Sequence, residues 1–539
     1  MFQKGVSMPP AAFPRGRRFV LFGALFALLP LSLRAQTPLP SPAPSPSPMG
    51  FYAPERTVRR LADGVEWVQE ITPPGVPGGP LVVNVVRVAP EAAKRDRLRT
   101  ALGYGRVWEN NATQGRETVS GIAMRNNALV AVNAGFFTFS SGHPIGLHIE
   151  NGEPVTEPVL SRTALQILED GKGGVASFAG SGNVTARDGT TFAVSGFNRK
   201  PGKGGNELLV FTPHFFTATL PVPERTEVQL TGVKSLRLGE TITGMASDVN
   251  IGGGTLIPPQ TVVLSGAGTA AQFLRDHVGA GEKVTVRYDI TPDPRGVRQA
   301  VAGGPRIIKD GKIAVNATAE GFGDDFSTTR HPRTAAGVMR DGTVLLLTVD
   351  GRQSFLSRGA SLTETAALLL KFGAVDGVNL DGGGSTAMAV RGTVVSSPSG
   401  ASERPVANAL VLVAGKPFPK RGAPVGQLAA AFSGAMRVGA AQAFFIPSSG
   451  GKTRVDSALW GVSGGIGFVS QSGMFVALRP GTGSVFAVLP DGRRHVRAVT
   501  VAAPVVPSPS PSPPAPSGGA VPGERSSPKL TGGDGDANH

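Results

Sequence analysis

The chain has no cysteine among its 539 residues. That excludes disulfide staples, thiolate zinc sites and cysteine nucleophiles. Aromatic residues make up only 6%, with tryptophan at three positions, and no Lys/Arg run is interleaved with them as a nucleic-acid groove would require. No nucleic-acid partner is therefore expected. Neither a Walker A motif nor a dinucleotide fingerprint occurs, because "GGGST" (382 to 386) lacks the Gly-Lys-Ser/Thr ending, and this disfavours a nucleotide hydrolase.

Long apolar runs are also scarce. The run Phe19 to Leu33 follows Arg15, Arg17 and Arg18, is broken by Pro30, and is too short to span a bilayer comfortably. Its layout is that of a secretory signal cleaved after Ala35. Arg17-Arg18 hints at twin-arginine export, but the flanking residues suit ordinary secretion better. Leu33, third before the cut, is not an ideal residue there, so an uncleaved anchor stays open; after cleavage no membrane span is expected. A secreted chain without cysteine points to a bacterial envelope, periplasm or cell surface.

What is abundant is glycine, at 74 positions, and proline, at 46, which favour turns and β-rich structure over helical bundles. Hydrophobic residues, at 40%, suffice for two folded units. Lys and Arg, 53 against 38 Asp and Glu, give +15, a charge that attracts polyanions, anionic envelopes or phosphorylated substrates. "PLPSPAPSPSP" (38 to 48) and "PVVPSPSPSPPAPSGG" (504 to 519) read as extended spacers, with a disordered tail beyond. The expected organisation is a signal (1–35), a linker (36–55), a large folded domain (56–417), a small β-sandwich (425–502) and a Pro/Ser-rich tail (503–539).

Within the larger domain, "PLVVNVVRV" (80 to 88) and "ALVAVNAGFF" (128 to 137) have strand length and β-branched content, and "ETVSGIAMRNN" (117 to 127) has helical spacing. "TVLLLTVDG" (343 to 351) is a strand ending at Asp350-Gly351. A helix follows over "SLTETAALLLKFGA" (361 to 374), with Ser361 or Thr363 as its cap and Gly373 as its end. "VDGVNLDGGG" is a second strand running into glycines. The pattern predicts a β-α-β unit whose strand ends bring Asp350 and Asp381 together, in an α+β or α/β mixed-sheet domain. The region 457–501 reads as short strands and turns. Its Trp460, "GFVSQSGMF" and "GTGSVFAVLPDG" resemble bacterial immunoglobulin-like group-2 domains, which implies a spacer or adhesion module with Trp460 in its core.

Four blocks in order carry a second resemblance: "VNAGFF" (132 to 137), "AVAGGPRIIKDGK" (300 to 312), "RHPRTAAGV" (330 to 338) with "VDGR" (349 to 352), and "GVNLDGGGSTAM" (377 to 388) with "ERPVANALVL" (403 to 412). Over residues 80 to 415 the chain resembles the phosphodiester glycosidase family. The resemblance implies hydrolysis of a sugar-1-phosphodiester, with an N-acetylglucosamine-like sugar, to free sugar and phosphomonoester. It also implies an α/β arrangement around a largely antiparallel sheet.

The residues suit that chemistry in their own right. A phosphodiester is a monoanion, and His331, Arg333 and Arg352 can supply opposing charge. Gly382, Gly383 and Gly384 would let backbone N–H groups approach a phosphate, with Ser385 and Thr386 adding hydroxyl donors. Asp381 and Asp350 are the candidate carboxylates for an oxocarbenium-like state, and Arg333 could do part of the work of a general acid. Each has a plainer reading: Asp-Gly is a common turn, His331 a loop histidine, Arg352 a surface ion-pair partner and Asn133 a turn residue. The family blocks favour a substrate amide contact for Asn133 and site roles for Arg306 and Arg404; Phe136 and Phe137 read as core, with one ring able to face the sugar, and Asp324 and Asp325, in a flexible stretch ahead of His331, are reserve carboxylates. Calcium or magnesium would suit clustered Asp and Asn oxygens, although no spaced zinc-like ligand set is present. The competing class is a non-catalytic surface protein that binds anionic glycan through the larger domain and adheres through the sandwich.

Overall fold

The apolar run Val344–Val349 is a strand buried on both faces inside an eight-stranded sheet. Alternate side chains part to opposite sides. Leu345, Leu347 and Val349 pack with Val83, Val85 and Ile308 against the helix Leu362–Lys371, while Val344 and Leu346 pack with Val86, Val88 and Ala336 towards a second sheet. Burial on both faces is why the run is continuously apolar rather than alternating.

The computed structural model describes residues 53–503, apart from 96–97, 203–204, 420–421, 432–433, 449–450 and 454–456. The expected signal and the C-terminal tail lie outside the described residues, as does most of the first linker. The main sheet runs Glu55–Ala62, Val65–Thr72, Leu81–Val88, Val344–Val349, Arg333–Met339, Ala374–Asn379, Arg306–Lys309, Lys312–Ile313, and every neighbouring pair is antiparallel. The second sheet runs Thr393–Val394, Met388–Val390, Ala128–Asn133, Asn408–Val413, Leu98–Leu102. Val130, Val132, Met388, Leu410 and Leu412 face Trp67, Leu346 and Val378 across the shared core. A five-stranded sheet around Val297–Ala302 adjoins these layers. A nine-stranded sheet built from residues between Ala179 and Thr291 has a core centred on Phe197, Val228, Leu264 and Val286.

The mixed α/β expectation is wrong. Strand accounts for 46% of the described residues and helix for 10%, spread over several sheets. The helix Leu362–Lys371 does form, closed at its start by a capping box in which Ser361 accepts from the Glu364 amide and Glu364 reaches back to the Ser361 amide. Its flanking strands are parallel to each other, but Arg333–Met339 lies between them and pairs antiparallel with both. A crossover that skips one strand looks, in sequence, the same as a parallel β-α-β unit.

Residues 424–502 form two small sheets around Phe444, Trp460, Phe475 and Val485, with Trp460 3% exposed. They sit against the N-terminal hairpin: Arg59 donates to the carbonyls of Ala458 (2.5 Å) and Gln471 (2.9 Å), and the Gln471 amide donates to Gln69 Oε1 at 3.0 Å. Phe468 and Val476 of the sandwich share an apolar cluster with Ile71, Val82 and Leu356. Among the described residues no helix is long and apolar enough to cross a membrane.

Leu346 joins the two sheets with no exposed surface. Leu346→Ala is expected to lower unfolding free energy by about 2–5 kcal/mol, measured by urea denaturation.

Candidate active site

The family-like blocks gather at one end of the central strands of the main sheet. Arg333 opposes Val349, and Ala335 opposes Asn379, so "RHPR", "VDGR" and "NLDGGG" arrive together where their strands begin or end. Arg306 pairs with Val378 there, bringing Gly303-Gly304-Pro305 alongside. From the second sheet, Asn133 ends its strand at the same place: the Asp381 amide donates to Ala134 O (2.9 Å) and Asn133 Nδ2 donates to the Asp381 carbonyl (2.5 Å).

The glycine turn is shaped by what crowds it. A Cβ on Gly382 would stand 2.8 Å from Pro332 O, one on Gly384 2.3 Å from Arg404 Nη2, and one on Gly383 3.4 Å from Arg352 Nη2. Gly383 also has φ of 58°. Its N–H donates to Pro332 O, those of Ser385 and Thr386 donate to Gly382 O and Gly383 O, and that of Gly382 faces the Asp381 carboxylate. The amides thus hold the turn itself, and the positive charge at its surface comes from two guanidinium groups, Arg352 on one side and Arg404 on the other. Arg404 donates to Ser385 Oγ (3.4 Å) and stacks over the exposed ring of Phe139 (5.1 Å).

Asp381 is partly exposed, yet desolvation raises its pKa to about 6, against the opposing pull of Ser385, Arg404 and the Gly382 amide. Asp350 differs. It is fully buried, its Oδ2 accepts from the Ser397 amide (2.9 Å), and burial drives its pKa well above the usual carboxylate range.

Arg333 is also internal. It donates to the carbonyls of Ala360, Phe326 and Thr329, lies 5.1 Å from the Phe326 ring, and is lowered to about 10, chiefly by burial. Half-buried His331 stands with Nδ1 3.3 Å from Arg352 Nη2, and desolvation, then Arg352 and Arg333, lower its pKa, which keeps it neutral at neutral pH. The Arg306 guanidinium binds Val175 O (2.5 Å) and lies 3.7 Å from Asp376, so it is occupied along the strand rather than at the turn. Asn133 is buried, its Oδ1 accepting from Thr334 Oγ1 (2.7 Å) and the Ala387 amide (3.2 Å). Ser385 and Thr386 are buried as well. Phe136 packs with Phe322 and Phe326 beneath Arg162, and Phe137 is core. Asp324 and Asp325 are exposed on the short helix Asp324–Thr328.

Sequence reasoning passed over four further residues. Asn379 donates to Gly304 O (2.9 Å), and Asn408 accepts from the Gly135 amide (2.8 Å). Glu320 gathers the Thr163 hydroxyl and amide and the Arg306 amide, and Glu403 holds Ser120. Asparagine is depleted in strands, so its place in "VNLDGG" and "VANALVL" was the available signal for the first two. For the glutamates there was none. Among the described residues no group of three or more His, Asp or Glu could hold a metal ion, and Asp381, the carboxylate that opens the glycine turn, stands beside guanidinium groups that repel a divalent cation.

Residues 241–413 match the family model described as phosphodiester glycosidase. This segment belongs to that family. The glycosidase segment contains Asp381 and both flanking arginines, whereas Asn133 and its strand precede it. The SPbeta prophage-derived uncharacterized protein YomE of Bacillus subtilis is 36% identical over 118 residues, 22% of this chain and 18% of that protein. The N-acetylglucosamine-1-phosphodiester alpha-N-acetylglucosaminidase of Bos taurus is 38% identical over 110 residues, 19% of this chain and 20% of that one. The chain thus covers about a fifth of the length of these curated relatives. A hypothetical protein from Synechocystis has a similar crystal structure, with TM-score 0.54 and 24% identity over 67% of this chain and 64% of the other, which shows a common fold.

Two outcomes follow from the turn's geometry. Gly384→Ala should fold normally but displace Arg404, weakening N-acetylglucosamine-1-phosphate binding about tenfold by calorimetry, the loss of one charge-assisted contact. Because the folded pKa of Asp381 is raised, the stability it contributes is present below about pH 4 and lost as pH climbs through about 6. Asp381→Asn should therefore melt above the wild type at pH 8, with the gap closing towards pH 4.

Proposed function

We propose that the protein is a secreted hydrolase that cleaves a sugar-1-phosphodiester, releasing the sugar and a phosphomonoester. The observation that carries this reading is one partly exposed carboxylate, Asp381, on a glycine turn flanked by Arg352 and Arg404. The match of residues 241–413 to the phosphodiester glycosidase family supports it, as does the bovine N-acetylglucosamine-1-phosphodiester alpha-N-acetylglucosaminidase, from which an N-acetylglucosamine-like sugar is taken.

In this reading the phosphodiester monoanion lies between the two guanidinium groups, each worth a charge-assisted hydrogen bond. Neutral His331, beside Arg352, offers a ring nitrogen to a phosphate or sugar hydroxyl. Asp381, ionised at neutral pH, faces the anomeric carbon and stabilises the positive charge that grows there as the bond to the phosphate oxygen lengthens. A phosphate leaves more easily than an alcohol, and Arg352 and Arg404 neutralise the charge it gains. A dedicated acid is then unnecessary, which fits the withdrawal of Asp350 and Arg333 into the interior. The leader expected at residues 1–35 would deliver the enzyme to the envelope, where phosphodiester-linked sugars of the surface or of exopolysaccharide are the substrates.

The test is release of reducing sugar from UDP-N-acetylglucosamine and from the methyl diester of N-acetylglucosamine-1-phosphate. Turnover is expected; binding of several such diesters with no turnover of any would favour an anionic-glycan adhesin. Asp381→Asn should lose about a thousandfold in kcat, and wild-type kcat/KM should rise with pH up to a limb near pH 6 that Asp381 sets. Arg352→Ala should raise KM about 10- to 100-fold, the loss of one charged hydrogen bond.

A further inference from the structure

Behind the site, the loop of residues 396–403 separates the glycosidase segment from the sandwich, and a cleft of about 250 Å³ opens on its far side, lined by Ser397, Ser402, Gly464, Gly465 and Arg479. Arg479, from the sandwich, crosses to the loop and donates through Nη2 to Ser399 O (2.7 Å) and Pro398 O (3.5 Å), and through Nη1 to Gly465 O (3.3 Å). On the loop's other side the attachments all lead to the site. Gln353, next to Arg352, donates to Ser397 O (3.2 Å) and to the same Pro398 O (3.0 Å). The Ser397 amide donates to Asp350, and the Ser396 hydroxyl accepts from the Met388 amide just past the glycine turn. The loop then runs through Glu403, fixed on Ser120, into Arg404.

We propose that Arg479 is a positioning residue: a strut from the sandwich that holds this loop, and through it Arg352 and Arg404, at the spacing that a phosphodiester needs. This rests on the reading of the Asp381 turn given above. The physical argument is the cleft. A loop with open space behind it and few apolar contacts has low local stability and samples conformations that move into the space. A guanidinium bridging two carbonyls on the loop and one on the sandwich opposes that motion in a way a point charge on a flexible stem does not. If the loop is released, only a fraction of molecules present both arginines together, and apparent affinity falls by that fraction while chemistry in the competent fraction is unchanged.

The comparison uses Arg479→Ala, Arg479→Lys and, as a control, Arg59→Ala. Arg59 also ties the sandwich to the rest of the protein, but does so through the carbonyls of Ala458 and Gln471. Binding of N-acetylglucosamine-1-phosphate is read by calorimetry, KM and kcat on its methyl diester by sugar release, and folding by thermal melting. Arg479→Ala should weaken binding and raise KM about tenfold with kcat within about twofold, Arg479→Lys should fall between, and Arg59→Ala should lower the melting temperature without moving KM. Binding by Arg479→Ala within about twofold of wild type overturns the proposal, as does an equal loss in Arg59→Ala, which would make docking of the sandwich, not the strut, responsible. Should Arg479→Ala fail to fold, Arg479→Lys decides on the same criterion. A wild type that binds the sugar phosphate but turns over no diester removes the hydrolase reading while leaving the binding arm to judge Arg479; a wild type that binds none removes both.

Discussion

The hydrogen bond from the Asn133 side chain to the Asp381 carbonyl joins the two sheets at the point where the glycine turn begins. Both partners are held in place by others: the amide oxygen of Asn133 receives the Thr334 hydroxyl and the Ala387 amide, and the Asp381 amide reaches Ala134. A buried amide group is stable only when its donors and acceptors are paired. Asn133 therefore admits one relative placement of the strand it ends, the strand that begins at Arg333 and the turn that follows Asp381. Asn379 ties the Gly304 corner through its Nδ2 alone, its buried Oδ1 having no partner among the described residues, and Asn408 holds the Gly135 corner, so three buried asparagines position the site.

Charge divides the site into two layers. The inner layer holds a carboxyl and a guanidinium, Asp350 and Arg333, that do not pair with each other; backbone carbonyls take the Arg333 donors, and Asp350 accepts the Ser397 amide through Oδ2 while its Oδ1 has no hydrogen-bond partner among the described residues. The outer layer carries Asp381, His331, Arg352 and Arg404. The inner pair serves geometry, since Arg333 gathers three carbonyls and Asp350 anchors Ser397. The outer set is left with more positive than negative charge, the balance that draws a monoanion into a partly desolvated place.

Much of the architecture is legible in the chain because its signals are local. Apolar runs such as Val344–Val349 declare strands, and Ser361 with Glu364 declares a helix start. Pairing is not local. Arg333–Met339 enters between two strands that follow it in sequence, a choice made by the burial of whole faces, and a reading based on adjacency takes the crossover for a parallel unit. The same limit applies to the site. That Asp350 and Asp381 end strands is written in their Asp-Gly turns, but which carboxyl meets water depends on the Ser397 amide, 47 residues on from Asp350, closing over that carboxyl, and no local signal announces that contact. Arg333 and Arg306 stand in motif-like blocks, and only the packed structure reveals that backbone carbonyls have taken their donors.

The apolar cluster that Phe468 and Val476 share with Ile71, Val82 and Leu356 has a consequence for the history of the two modules. A bead on a flexible string can be shuffled, duplicated or lost with little effect on its neighbours. Here the surface that one module needs to cover is supplied by the other, and the covering residues come from opposite ends of the described chain. A recombination that brought in a different sandwich would have to restore that greasy seam as well as the linker, so the two halves are bound to drift together, each acting as a selective environment for the other.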